Sequence, residues 1–261
     1  MLKTRIITAL IGIPVLLFIL YQGGLAWTAL FVLLGIVALY EYLDMMQKSG
    51  RQPQFLSAYG LLLLLLFREQ TALYFHPLLM AIIILMVLEC VLWYPKFNLE
   101  DIALNFLGAF YIGFLLSFAL QIQTIDQPFF TMLLVLLVTW GADIGGYLFG
   151  RLWGKTKMTP QLSPNKTWAG AAGGIILASA AAAVFSYIFP LPGLNITQIL
   201  IMAVLGSIAA QLGDLFASAI KRFFGTKDSG YIIPGHGGVL DRFDSFMLVL
   251  PVIYYFIFFM R

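Results

Sequence analysis

Charge is what this sequence has least of. Of its 261 residues only 10% are Asp, Glu, Lys or Arg, where an average soluble domain carries about 25%. Side chains this poor in charge cannot clothe a surface in water, so a soluble globular enzyme is excluded. There is one cysteine, Cys90, which excludes an intramolecular disulfide and leaves redox compartment undetermined. No Ser/Gly linker, low-complexity run or internal repeat interrupts the chain, so nothing points to a soluble second domain. Excess positive charge is also slight, 15 Lys and Arg against 12 Asp and Glu, or +3, with a pI near 8.9. In a membrane protein such a bias reflects loop charges beside the bilayer, and no nucleic-acid partner is expected.

What is present is hydrocarbon. Hydrophobic residues make up 61% of the chain, and mean hydropathy is +0.95. Leu, Ile, Phe and Ala run in long segments rather than alternating, which favours helices over the strands of a barrel. The expected fold is an all-α polytopic transmembrane bundle of about nine spans: 6–21, 25–42, 55–67, 73–93, 102–120, 129–149, 168–189, 199–220 and 243–259. A crossing helix needs about 20 residues, and the third run, with 13, is short. The N-terminal stretch Lys3-Thr4-Arg5 before an apolar run resembles a signal peptide, but no small-residue cleavage site follows, so it reads as a retained first helix.

The positive-inside rule bears on the third run. If all nine cross, Lys3, Arg5, Lys48, Arg51, Lys96, Arg151, Lys155, Lys157, Lys166, Lys221, Arg222, Lys227 and Arg242 share one side, and only Arg68 and Arg261 fall opposite: 13 to 2. If the third does not cross, the split is 9 to 6. The asymmetric partition is preferred. It puts the N-terminus and two long polar loops, 150–167 and 221–242, in the cytoplasm and the C-terminus outside.

The segment 218–244, SAIKRFFGTKDSGYIIPGHGGVLDRFD, concentrates Lys221, Arg222, Lys227, Asp228, His236, Asp241, Arg242 and Asp244 among five glycines. Glycine lets backbone N–H groups approach a phosphate, and Lys and Arg neutralise phosphate charge. Paired carboxylates beside basic residues suit Mg²⁺-assisted phosphoryl or nucleotidyl transfer. Asp241 and Asp244 are three apart at the start of the ninth run, on one helical face where an anion is also favoured. For Asp244 alone a helix cap would suffice. For DRFD directly after GHGG, a metal cluster is the better reading. A lone His236 in such a loop binds phosphate, orients water or hydrogen-bonds backbone.

Asp214 lies inside the eighth run on a polar stripe with Ser207, Gln211 and Ser218 that leads to Lys221. An ionisable residue within a span is a functional candidate by default, set against an interhelical hydrogen bond or a Lys pair. A second polar segment, 143–170, begins with Asp143 on a hydrophobic helix. Its glycines suit close helix packing, and its lysines suit topology or anionic lipid. The run Ser163-Pro164-Asn165-Lys166-Thr167 places donors and a cation just before a helix, an arrangement suited to a nucleotide. Glu41 and Asp44 end the second run and are expected at the interface. Glu89 is mid-span and unpaired in sequence, and His76 reads as incidental.

The stretch 218–244 resembles the signature of phosphatidate cytidylyltransferases, the CDP-diacylglycerol synthases. The matching residues are Ser218, Lys221-Arg222, Lys227-Asp228, Gly230, Pro234, His236-Gly237-Gly238 and Asp241-Arg242-Phe243-Asp244. The segment from Asp143 through Gly154-Lys155 to Ser163-Pro164-Asn165-Lys166-Thr167 is similar to the family's second motif, except that Ala169 stands where a Glu is common and Ile144-Gly145-Gly146 where polar residues are usual. The resemblance divides the chain into variable N-terminal helices, 1–125, and C-terminal helices with catalytic loops, 126–261.

That resemblance implies a reaction of CTP with phosphatidic acid at the cytoplasmic face of the cell membrane, giving CDP-diacylglycerol and pyrophosphate for phospholipid biosynthesis, and a homodimer. It implies that Asp214, Asp241 and Asp244 hold one or two Mg²⁺ ions. Lys227, Asp228, His236 and Arg242 would join them in catalysis. Asp143, Ser163, Asn165, Lys166, Thr167, Lys221, Arg222, Gly237 and Gly238 would bind CTP and phosphates. Two rivals stand beside it. A CTP-dependent polyprenol-type kinase would share the CTP site but move the γ-phosphate. An ion-coupled transporter would line a path with Glu89, Asp143 and Asp214, although the charges gather in two loops. A CDP-alcohol phosphotransferase needs a DGxxAR array that is absent.

Overall fold

The computed structural model describes residues 2–233, 235 and 237–260, apart from the side chains of residues 2–5, 7 and 9. Among these the chain forms nine α-helices: α1 (Leu2–Gln22), α2 (Gly24–Lys48), α3 (Phe55–Leu66), α4 (Phe75–Leu92), α5 (Leu99–Ile122), α6 (Pro128–Trp153), α7 (Trp168–Ile188), α8 (Ile196–Phe223) and α9 (Leu240–Met260). The only named strands among the described residues are β1 (Lys157–Thr159) and β2 (Ser163–Thr167), an antiparallel ribbon between α6 and α7. Among the described residues seven helices are long and apolar enough to cross a membrane. The protein is an all-α polytopic membrane bundle. Several helices outrun their apolar stretches, α2 to Lys48 and α8 to Phe223, because backbone hydrogen bonding continues into the flanking polar residues.

The chain divides into two compact units, residues 1–120 with 223–241, and residues 121–222 with 242–261. In the first, α2 and α5 run antiparallel. Trp27 Nε1, near the start of α2, donates to the Ala119 carbonyl at 2.9 Å, and Tyr42 Oη, near its end, donates to the Leu104 carbonyl at 2.9 Å. Helix α3 runs alongside α5 in the same direction. The Gln54 N–H donates to Asn105 Oδ1 at 3.1 Å and Asn105 Nδ2 donates back to the Gln54 carbonyl at 2.9 Å. Further along, a methyl at Gly113 would meet the Leu62 backbone at 3.1 Å. Helix α4 returns against α3, where Ser57 Oγ donates to Glu89 at 2.6 Å.

The third run is thus a helix of 12 residues, about 18 Å long against a hydrocarbon core of about 30 Å. Irregular segments flank it at both ends. Non-helical backbone is tolerated at that depth only where protein satisfies it. Here the Gln52 N–H donates to Asp101 at 3.2 Å, Arg51 pairs with Glu100 at 2.6 Å, and beyond the far end Arg68 lies over the rings of Phe114 and Phe118 at 4.9 and 4.5 Å.

In the second unit small residues set the helix spacing, as they do where apolar side chains gain nothing by leaving lipid. A methyl at Gly141 would stand 2.8 Å from Ala178 Cα, and Gly145 lies against Gly173 in the same α6–α7 seam. At Gly206 of α8 a methyl would stand 2.9 Å from Val138 of α6 and 3.6 Å from Val249 of α9; at Gly213 it would stand 2.5 Å from the Asp244 carbonyl. These close seams bring the polar residues of α6, α8 and α9 to one level.

Candidate active site

The second unit gathers acids and lysines from four elements. Asp214 on α8 is held at 2.7 Å by Lys166 of β2, which also donates to the Gln211 carbonyl at 3.4 Å. Ser218, one turn on, donates to Asp214 at 3.5 Å. Gln211 Nε2 donates to the Ala171 carbonyl of α7 at 3.2 Å. The stripe read along α8 is therefore one continuous polar face. On α9, Asp244 is 7% exposed. Its Oδ1 accepts from the Ser245 N–H at 2.7 Å, and its Oδ2 stands 3.9 Å from Lys221. Ser245 Oγ also reaches Asp143 Oδ1 at 3.5 Å, joining α9 to α6. The charge of Asp214 acts on both Asp143 and Asp244, and Lys166, Arg242 and Lys221 offset it.

The SPNKT run has a divided geometry. It is strand β2, not a free loop. Thr167, at its end, is buried, and its Oγ1 accepts from the Gly170 N–H at 3.1 Å as the N-cap of α7. Lys166 points to Asp214, Ser163 is half-buried and Asn165 is exposed. The backbone stiffness of the ribbon fixes where the Lys166 ammonium falls.

The first unit holds the glycine-rich loop and, buried beneath it, a carboxylate that sequence reasoning had put at the interface. Glu41 of α2 is 1% exposed. Its Oε1 accepts from the Val239 N–H at 2.9 Å, and its Oε2 accepts from the Leu240 N–H at 2.8 Å and from Ser229 Oγ at 3.2 Å. Asp241 Oδ2 accepts from the N–H groups of Ser229, at 2.8 Å, and Gly238, at 3.2 Å. The N–H groups of residues 238, 239 and 240 are thus all committed to carboxylates. Gly237 has φ +86°, which a side chain would strain, and pairs with Ile233 in an isolated bridge. Lys227 and Asp228 are exposed and, with Asp44, Lys48, Ser229 and Tyr231, line a cavity of about 270 Å³. Arg222 and Arg242 are exposed, and His236 lies outside the described residues.

The family model described as the cytidylyltransferase family matches residues 3–260. The chain belongs to the cytidylyltransferase family. It is 36% identical over 262 residues, 97% of this chain and 96% of the relative, to a phosphatidate cytidylyltransferase of Bacillus subtilis. It is 39% identical to one of Staphylococcus saprophyticus and 36% identical to one of Staphylococcus aureus, each over 256 residues, covering 96% of this chain and 97% of the relative. Within this family the signature of the present chain falls in both compact units: the loop and Asp241 in the first, Asp244 in the second.

Among the described residues no three His, Cys, Asp or Glu side chains close on one point as a metal site. The donor chemistry nonetheless fits a hard divalent cation. Asp143, Asp214 and Asp244 offer carboxylate oxygen, and no sulfur or imidazole intrudes among their polar partners. Two of these carboxylates currently face lysine ammonium groups, which supply the positive charge there. Asp241, expected in the same set, has one oxygen fixed to the loop backbone. Any metal bond it makes would come from a carboxylate already held in place. Glu41, Ser229 and Ser245 are the residues the sequence did not single out. For Glu41 the available signal was an acid within a helix with no basic residue one turn away on its own sequence.

Proposed function

We propose that this protein is a membrane-embedded phosphatidate cytidylyltransferase, converting CTP and phosphatidic acid into CDP-diacylglycerol and pyrophosphate. The observation that carries it is the acid–lysine cluster of Asp143, Lys166, Asp214, Lys221 and Asp244 in a chain whose nearly full-length relatives bear that name. A phosphate oxygen of phosphatidic acid attacks the α-phosphorus of CTP. The new P–O bond forms as the bond between the α-phosphorus and the bridging oxygen to the β-phosphorus breaks, and pyrophosphate leaves with that electron pair.

The phosphate of phosphatidic acid is already largely ionised near pH 7, so no strong general base is required. The difficulty is bringing two anions together. Lys166 and Lys221 are placed to do so, because each stands beside a carboxylate that it can exchange for a phosphate oxygen. Asp214 and Asp244, with Asp143 beside them, would hold Mg²⁺, and Asp241 is a proposed metal ligand on the loop. The ion would supply charge neutralisation at the phosphates. Ser218 keeps Asp214 oriented, the Gln211 carbonyl helps hold Lys166 beside it, and Ser245 orients Asp143 and Asp244. Arg222, Lys227 and Arg242 are proposed phosphate contacts, Ser163 and Asn165 proposed CTP contacts, and Asp228, Gly237 and His236 proposed members of the loop site.

The proposed setting is the cell membrane with the site facing the cytoplasm, where CTP is available and the lipid substrate arrives laterally; the 13-to-2 charge partition supports that side. A homodimer is supported by the family resemblance, and crosslinking in native membranes tests it. Chelation tests the metal. EDTA is expected to abolish CDP-diacylglycerol formation and excess Mg²⁺ to restore it. Full activity in EDTA would contradict the assignment.

A further inference from the structure

We infer that Glu41, far from the signature in sequence, is the positioning residue of the signature loop, and that Gly230 and Gly238 are glycines in order to fit around it. A buried carboxylate with no ion-pair partner must be satisfied by hydrogen-bond donors, or it costs more than its helix can bear. Among the described residues no Lys or Arg pairs with Glu41. Its three donors all come from the loop: Ser229 Oγ, Val239 N–H and Leu240 N–H. The last two are the N–H of Leu240, the first residue of α9, and that of Val239 just before it, at the helix end whose N–H groups no intrahelical carbonyl can take and which carries the positive end of the dipole. Glu41 is therefore an N-cap supplied by a helix about two hundred residues away.

The glycines bear this out sterically. A methyl at Gly230 would stand 2.7 Å from Glu41 Oε1, and the three atoms nearest it all belong to Glu41. A methyl at Gly238 would stand 2.5 Å from Glu41 Oε2 and strike Ser229 Oγ as well. Backbone that reads in sequence as clearance for a phosphate is, at these two positions, clearance for a side chain of the protein itself. Asp241 takes the Ser229 and Gly238 N–H groups from the other side. The two carboxylates together fix residues 229–230 and 238–241, with Lys227 and Asp228 leading into the clamp.

This role rests on the proposed cytidylyltransferase reaction, and two kinds of readout keep the two apart. The first does not need activity. Amide hydrogen exchange at residues 229 and 238–240 of purified full-length Glu41→Gln should rise about tenfold or more, since an amide offers one acceptor oxygen where three donors converge. Exchange elsewhere in the bundle should be unchanged. Unchanged exchange at these residues overturns the inference whatever the enzyme makes. The second is kinetic. Glu41→Gln should lower kcat about tenfold or more at a KM for CTP within about twofold, with the melting transition retained. A merely structural role would instead reduce the folded fraction at unchanged kcat per folded molecule.

Glu41→Asp, one methylene shorter, makes room beside Gly230. Gly230→Ala alone should lose most activity, and Gly230→Ala with Glu41→Asp should recover more than the product of the single effects allows. Strictly multiplicative effects would show that Gly230 is not limited by Glu41. If the wild-type protein makes no CDP-diacylglycerol, the reaction assignment fails while the exchange result still decides the inference.

Discussion

At the scale of the residue, the cluster of the second unit works by exchange of partners. Lys166 at 2.7 Å from Asp214 is a half-buried cation that is already aimed. Lys166→Met leaves Asp214 without its counter-charge and the substrate phosphate without a partner, so kcat/KM for CTP should fall about a hundredfold, a loss of about 3 kcal/mol in transition-state stabilisation. Steady-state kinetics in detergent checks it, and an effect under threefold would remove Lys166 from the site. Thr167 makes a different prediction. Its hydroxyl caps α7, so Thr167→Val should cost about 1 kcal/mol of stability, read as a lowered denaturation midpoint, and Thr167→Ser should restore it. Asp214, Asp241 and Asp244 could be picked out from sequence because acids in and beside apolar helices are costly and therefore conspicuous. Glu41 was not, because nothing local distinguishes an acid at the end of a span from one buried under a loop that arrives some 190 residues later.

At the scale of the element, glycine seams carry the site. Helices α8 and α9 touch where Gly213 meets the Asp244 carbonyl. Gly213→Ala forces α9 away at the turn that bears Asp244. The expected cost is about 1–3 kcal/mol of stability together with lost activity, and Gly225→Ala, which meets no neighbouring atoms though it strains a left-handed turn, should leave that seam intact. Melting curves and activity of the two variants separate packing from chemistry. Helix positions were legible in the sequence because an apolar run must be helical in lipid. The short third helix was legible only in part: its length could be counted, but the pairing of Gln54 with Asn105 at its start joins residues with no local signal. The β1–β2 ribbon was hidden for a similar reason, since a five-residue polar strand reads like any loop.

At the scale of the whole molecule, charge sets topology and covalent order does not set compactness. Residues 223–241 cluster with the first 120 residues rather than with the helices that flank them. Tyr42 packing edge-on to Phe224 at 5.3 Å and Arg51 over Phe223 at 4.5 Å are among the contacts that place them there. Composition could not foresee this, because aromatic partners are interchangeable in sequence. Topology is a prediction of the charge partition. With Cys90 replaced, single cysteines introduced at positions 50 and 96 should label from the same, cytoplasmic side, and one at 193 only from the other. Labelling of 50 and 96 from opposite sides would refute nine crossings.

The central claim is the reaction itself, and one measurement addresses it directly. Purified protein in mixed micelles, given Mg²⁺, CTP labelled separately in the cytosine and γ-phosphate positions, and phosphatidic acid, should place the cytosine label in lipid and release the γ label as pyrophosphate, one for one. Transfer of the γ label to lipid with release of CDP would make the protein a lipid kinase and contradict the account.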